Sequence, residues 1–174
     1  CIGHISKAKE SINNELDQFF FISKLITIKP QKHNNDDVIT LELLKSEINE
    51  NDGIDTLVIR TTPNDSSKKN INYSNTNPIY ILENAARYLN EINIKHLLID
   101  LPSVDKEIDD GLIKAHKSFW GYPNECRNGC TITELIYVPN NIKDGLYLLN
   151  LQFMPFNNDA SPSRPVLFKL SKEN

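Results

Sequence analysis

Short runs of aromatic and β-branched residues divide the chain into predicted strands. The longest run, residues 19–28, ends before Pro30, and the run TLVIRT at residues 56–61 has the same character. A third run begins at His96 and ends abruptly at Asp100. Further strands are predicted at residues 131–138, 147–156 and 165–170.

Two segments between the first three strands are predicted to be helices. Thr40 is a suitable N-cap for a helix over residues 41–48. Asn77 as N-cap, with Pro78 at the first helical position, predicts a second helix that ends near Ile92. Alternation of strands and helices predicts right-handed crossovers and parallel strand pairs. We therefore expect one α/β domain with a mixed β-sheet and flanking helices.

Two candidate functional residues follow the third strand. Acidic side chains at the carboxyl end of a buried strand are common sites of chemistry in α/β proteins, and Asp100 is in such a position. Residues 109–111 (Asp-Asp-Gly) predict a helix start shortly before His116.

Glu134 lies inside the predicted strand at residues 131–138. Period-2 alternation places it on the same side as Ile132, Ile136 and Val138, the side that should face inward. A bare carboxylate there would be strongly unfavourable, so we expect a cationic partner, either a metal ion or an arginine.

Composition limits the class of protein. The chain has 174 residues, 39% of them hydrophobic, which is enough for one core but short for two domains. The net charge of −4, without a basic run interleaved with aromatics, argues against nucleic-acid binding. No apolar run is long enough to cross a bilayer, and no signal peptide is visible. Three cysteines are an odd number for a disulfide framework, so we expect a reducing compartment, the cytoplasm.

Four short motifs occur in order along the chain: IDLPSVD at residues 99–105, AH at 115–116, TITE at 131–134 and NDASPSRPVLF at 158–168. Together they resemble the cyclase family of metal-dependent hydrolases, which includes the bacterial kynurenine formamidases. The resemblance covers most of the chain from about Thr56 onward. It implies the swivelling β/β/α fold of that family, in one domain over residues 1–174 that is incomplete at its N-terminus.

The family's most diagnostic motif, His-x-Gly-Thr-His-x-Asp-x-Pro-x-His, is represented only by its end. Residues 1–4 (Cys-Ile-Gly-His) match its last four positions, with His4 on the final histidine and Ile2 where the family usually has proline. The motif's first two histidines and its aspartate supply metal ligands in the family. We therefore expect this chain to be the C-terminal portion of a longer protein and to lack half of the metal shell.

The resemblance also implies roles for residues of this chain. His116 and Glu134 would be metal ligands, for zinc first and manganese second. His4 would transfer a proton to the departing amine, a task that suits histidine at neutral pH. Asp100, Ser103 and Asp105 would orient the ligands or brace the turn.

The expected reaction is hydrolysis of an amide, ester or lactone bond in a small molecule, as in an arylformamidase, by a metal-activated water. The substrate-binding residues are not identified by the sequence. Members of the family are commonly dimers or tetramers, so we expect a homodimer or homotetramer without nucleic-acid or membrane partners.

Each functional residue also has a structural interpretation. His116 is suited to capping a helix C-terminus, and Glu134 to a structural ion pair with Arg127 or Arg164. Phe119, Trp120 and Tyr122 are either walls of an aromatic pocket or core residues. Cys126 and Cys130 have the spacing of half a zinc site, and two surface thiols are the alternative that we favour.

Two other functions compete with the metal-dependent hydrolase. Cys1 at a processed N-terminus would use its own α-amine as base, as in a cysteine amidohydrolase, and thiol alkylation would abolish only that activity. The other alternative is a non-catalytic protein that keeps the fold and binds a ligand.

Overall fold

The computed structural model describes residues 1–6, 10–49 and 52–170. Within these ranges the strands are β1 Phe20–Ile28, β2 Gln31–His33, β3 Asp36–Ile39, β4 Thr56–Thr61, β5 Tyr80–Ile81, β6 His96–Ile99, β7 Thr131–Thr133, β8 Gly145–Asn150 and β9 Val166–Lys169. The α-helices are α1 Leu41–Glu47, α2 Glu83–Glu91 and α3 Lys114–Trp120. Short 3-10 turns at Ile2–His4, Ile12–Asn14 and Ser66–Asn70 complete the described elements.

The main sheet has six strands in the order β7-β6-β4-β1-β8-β9. Its first four strands pair in parallel. β8 pairs antiparallel with β1, and β9 pairs antiparallel with β8. A smaller sheet has the order β2-β3-β5. This mixed sheet with parallel crossovers and flanking helices confirms the predicted fold class.

Apolar side chains are buried on both faces of the main sheet. Ile26 and Ile28 of β1 belong to the larger cluster, which also contains the buried faces of α2 and α3. Phe21 and Leu25 point to the other side and belong to a smaller cluster. Burial on both faces explains why these parallel strands have continuous apolar runs in the sequence. Among the described residues, no helix has the length and hydropathy needed to cross a membrane.

The helix predicted to begin at Pro78 begins instead at Glu83. The side-chain amide of Asn77 donates to Asp36, and its side-chain oxygen caps no helix N–H, while its backbone has a positive φ of 48°. Tyr80 and Ile81 then pair with β3 as a short parallel strand. Tertiary pairing therefore overrides the local start signal.

The helix that carries His116 also begins later than predicted, at Lys114. Asp109 folds the preceding residues into a turn by accepting backbone N–H groups of Gly111 and Ile113. The carboxylate therefore caps a turn and not the helix itself.

The predicted strand over residues 131–138 ends at Thr133. The prediction that Glu134 shares one strand face with Ile132, Ile136 and Val138 was therefore wrong. Leu135 adopts a left-handed φ of 57°, which breaks the strand geometry. As a result Ile132 packs against the larger cluster, whereas Val138 belongs to the smaller one on the other face.

His96, for which the sequence indicated no role, is buried at the start of β6. Its Nδ1 lies 3.0 Å from Thr131 Oγ1, and its ring contacts that of Phe21 in a tilted arrangement, with the centroids 4.1 Å apart and an interplanar angle of 48°. Burial lowers the pKa of His96 from its ordinary 6.5 to about 4. The folded protein therefore keeps this imidazole neutral.

We predict that the protein loses stability as the pH falls from 6.5 toward 4. In that window the unfolded chain protonates His96 and the folded protein does not, which lowers the free energy of unfolding by about 3 kcal/mol across the full window. Denaturant unfolding as a function of pH measures the slope. His96→Gln should flatten it and the exposed control His33→Gln should not; equal slopes in all three proteins would contradict the assignment.

Candidate functional site

Asp105 holds His116 in place through both its backbone and its ring. One carboxylate oxygen accepts the Ala115 N–H at 2.6 Å, and the other lies 2.5 Å from His116 Nδ1 and accepts the His116 N–H at 3.3 Å. Burial by itself would raise the pKa of Asp105, but these hydrogen bonds hold the pKa below its ordinary value. An ionised carboxylate can only accept, so the proton of the neutral imidazole is on Nδ1 and Nε2 has a free lone pair.

That free nitrogen of His116 faces Glu134. Nε2 of His116 lies 3.7 Å from a carboxylate oxygen of Glu134, which also accepts the Val104 N–H at 3.1 Å. Burial raises the pKa of Glu134, and the neighbouring His116 and the Val104 N–H act in the opposite direction. The structure thus brings together the two side chains assigned as ligands, although 18 positions separate them in the sequence.

The distance between His116 Nε2 and the Glu134 carboxylate fits two ligands of one cation better than a hydrogen bond. At 3.7 Å the pair is too far apart for a good hydrogen bond. Two ligands of one tetrahedral zinc ion, each at about 2.0–2.2 Å, would be roughly 3.4 Å apart. An imidazole nitrogen and a carboxylate oxygen are also donor types that zinc and manganese accept. The residues present therefore fit one side of a divalent cation site.

His4 lies next to this pair. Its ring centroid is 5.8 Å from that of His116, and its Nδ1 is 2.8 Å from a carboxylate oxygen of Asp159. The His4 side chain is 56% exposed, and Asp159 contacts its Nδ1. Sequence reasoning missed Asp159, although the residue lies within the NDASPSRPVLF motif.

Asp100 is buried at the end of β6 and points to the loop at residues 63–77. It accepts the Thr61 N–H at 2.8 Å and the Thr61 hydroxyl at 3.0 Å, and it pairs with Lys68 at 2.7 Å. These contacts anchor the polar loop to the sheet through Lys68. Of the two roles predicted for Asp100, the observed contacts correspond to bracing a turn.

Ser103 also braces its turn. Its hydroxyl accepts the Asp105 N–H at 3.1 Å, two residues along the chain. The contact places Asp105 where its carboxylate reaches α3. Ser103 therefore acts on His116 only through Asp105.

The structural alternatives for His116 and Glu134 are not seen. His116 is the third residue of α3, in its first turn, and Gly121 caps the C-terminal end. Arg127 donates to the backbone carbonyls of Phe119 and Ile94, and neither it nor Arg164 forms an ion pair with Glu134 in the described part of the chain.

The aromatic and cysteine side chains are mostly structural. Phe119 and Trp120 are buried in the larger cluster, where the Trp120 ring lies 5.4 Å from that of His116. Cys126 is exposed, but Cys130 is buried, so the prediction of two surface thiols was wrong for Cys130. Among the described residues, no group of three or more His, Cys, Asp or Glu side chains is arranged to hold a metal ion.

The Cyclase family model matches residues 1–106 of the chain, more than half of its length. The chain belongs to the Cyclase family. No curated protein matches this cyclase-family chain.

Solved structures show the same fold. A potential metal-dependent hydrolase with cyclase activity superposes with a TM-score of 0.71 at 20% identity, over 97% of this cyclase-family chain and 75% of that protein. A predicted metal-dependent hydrolase from Bacillus stearothermophilus gives 0.62 at 19% identity, over 91% and 73%. An isatin hydrolase bound to the product analogue thioisatinate gives 0.54 at 14% identity, over 83% and 59%.

We predict that Asp105→Asn weakens metal binding by the full-length protein about 10- to 100-fold. Asparagine can still accept the Ala115 N–H, but its amide N–H₂ would face His116 Nδ1. The imidazole would then carry its proton on Nε2, where it blocks coordination. Competition with a chromophoric chelator measures the affinity.

Asp109→Asn is the matched control, because Asp109 accepts backbone N–H groups in the same loop without touching His116. Equal metal affinity in the Asp105 and Asp109 variants would contradict the proposed tautomer control.

Proposed function

We propose that this protein is a metal-dependent hydrolase that cleaves an amide, ester or lactone bond in a small molecule, with a formamide of the arylformamidase type as the first candidate. The proposal depends mainly on one observation. His116 Nε2 faces a carboxylate oxygen of Glu134 at 3.7 Å, while Asp105 lies 2.5 Å from the other ring nitrogen, Nδ1.

Membership of the Cyclase family supports the proposal. Two structural neighbours are described as metal-dependent hydrolases and a third as an isatin hydrolase. With identities of 14–20%, these neighbours contribute the fold, and the chemistry is argued from the side chains.

His116 and Glu134 would hold the cation, with zinc preferred and manganese second. When bound, a divalent cation makes water acidic enough to supply a nucleophile at neutral pH. Asp105 keeps the His116 lone pair directed at the site. The partly buried position of Glu134 beside His116 limits competition from bulk water.

His4 would provide the proton that the leaving amine or alcohol requires. Asp159 holds Nδ1 at 2.8 Å, which leaves Nε2 to exchange a proton with the substrate. In this respect the Asp159–His4 pair resembles an acid–base histidine that a carboxylate orients.

The cysteine alternative has less structural support. Cys1 is buried, and its Sγ lies 3.3 Å from the Asp159 carbonyl oxygen and 3.6 Å from that of Glu10, so its single S–H can donate to either. A thiol engaged in this way is a poor nucleophile.

We predict that His116→Ala and Glu134→Ala, made in the full-length protein, each abolish tight metal binding and hydrolysis. Each change removes one of the two donors and leaves the other without its partner. Elemental analysis after dialysis measures bound metal, and a screen of formamides and esters with and without chelator measures activity.

His33→Ala is the control, because His33 is an exposed histidine on β2. Glu134→Gln, which keeps the volume and the Val104 contact, separates loss of charge from loss of packing. Stoichiometric zinc in both alanine variants would overturn the ligand assignment. Hydrolysis that is insensitive to chelator would overturn the metal mechanism, and metal binding without hydrolysis would favour the non-catalytic alternative.

A further inference from the structure

A large groove adjoins the candidate site. It lies between residues 131–139 and residues 160–167, and we call it the C-terminal groove. Its volume is about 870 Å³, within the range of small-molecule sites. The smaller apolar cluster forms part of its lining through Val58, Leu98 and Leu149.

Two charged side chains line the described part of this groove, and they have opposite signs. Glu134 is one of them, so the groove leads to the carboxylate that faces His116. Arg164 is the other. The remaining lining side chains carry no charge.

Arg164 differs from the other three arginines of the chain. Arg60 donates to Thr27, Asp144 and two carbonyls, Arg87 pairs with Glu83, and Arg127 donates to carbonyls. Within the described ranges, the Arg164 guanidinium has no hydrogen-bond or ion-pair partner. Arginine presents a planar fork of donors that matches a carboxylate.

The backbone that carries Arg164 is fixed on both sides. Ser163 forms an isolated β-bridge with Phe153, and the Pro162 carbonyl accepts the Met154 N–H at 3.2 Å. Pro165 restricts Arg164 to extended conformations. The Arg164 guanidinium therefore extends from a backbone segment that is held in place beside the groove.

We propose that Arg164 recognises a carboxylate on the substrate, so that the protein acts on small molecules with an apolar body and an anionic carboxylate group. The apolar body would lie on the groove lining while the labile bond reaches the His116–Glu134 pair. This inference rests on the proposed function for the reaction, but the carboxylate recognition can be tested without it.

The first experiment measures binding to chelator-treated protein, in which a carboxylate cannot coordinate a metal. The probes are 3-phenylpropionate and its neutral analogue 3-phenylpropionamide, titrated by calorimetry or ligand-observed NMR. Arg164→Gln should weaken binding of the carboxylate about tenfold and change binding of the amide less than about twofold. Arg164→Lys should give an intermediate loss, because lysine keeps the charge without the fork.

Lys169→Gln is the matched control, because Lys169 is an exposed cation on β9 outside the groove lining. It should leave both affinities unchanged. An unchanged preference for the carboxylate in Arg164→Gln would overturn the proposal. An equal loss for both probes would also overturn it, because that result indicates a structural role.

The second experiment compares formanilide with a formanilide that bears a ring carboxylate. Arg164→Gln should raise KM for the carboxylate substrate about tenfold with kcat unchanged, and should leave formanilide kinetics unaltered. A fall in kcat for both substrates would count against a recognition role. If the wild-type protein hydrolyses neither compound, the proposed function fails for formamides, while the binding titrations still decide the role of Arg164.

Discussion

The candidate site depends on one carboxylate that fixes a helix and a ring at once. Asp105 accepts the Ala115 and His116 N–H groups in the first turn of α3 and lies 2.5 Å from Nδ1 of the His116 ring, so the position of the helix and the direction of the imidazole are set together. Ser103 in turn fixes the backbone of Asp105. Removing the Asp105 acceptor would leave the ring free to rotate and the helix start without its cap.

The topology explains how distant residues reach this carboxylate. The parallel strands β6 and β7 end side by side, so Asp105 after one and Glu134 after the other lie at the same edge of the sheet. β7 ends at Thr133, and the left-handed Leu135 turns the chain away directly after Glu134. The residues that follow form one wall of the C-terminal groove. The candidate ligand Glu134 and one wall of the groove thus come from one chain reversal.

The sequence predicted the central strands of the sheet well and predicted less well the residues that follow the strand ends. Apolar runs located β4 at its observed bounds and β1 within one residue, because these strands are buried on both faces. Alternation failed at Glu134 because the positive φ of the next residue has no clear sequence signal, leucine being rare there. The hydrogen bonds that Asp105 accepts from α3 also have no local sequence signal, because 10 positions separate Asp105 from Ala115. The pairing of His116 with Glu134 was expected from the family resemblance and not from local pattern.

The crystal structure of the zinc-loaded, full-length protein tests most directly whether His116 and Glu134 share one cation. We expect a zinc ion about 2.0–2.1 Å from Nε2 of His116 and about 2.0–2.2 Å from a carboxylate oxygen of Glu134, with Asp105 still hydrogen-bonded to Nδ1. Zinc bound elsewhere, or a His116 ring turned so that Nδ1 faces the ion, would contradict this ligand assignment.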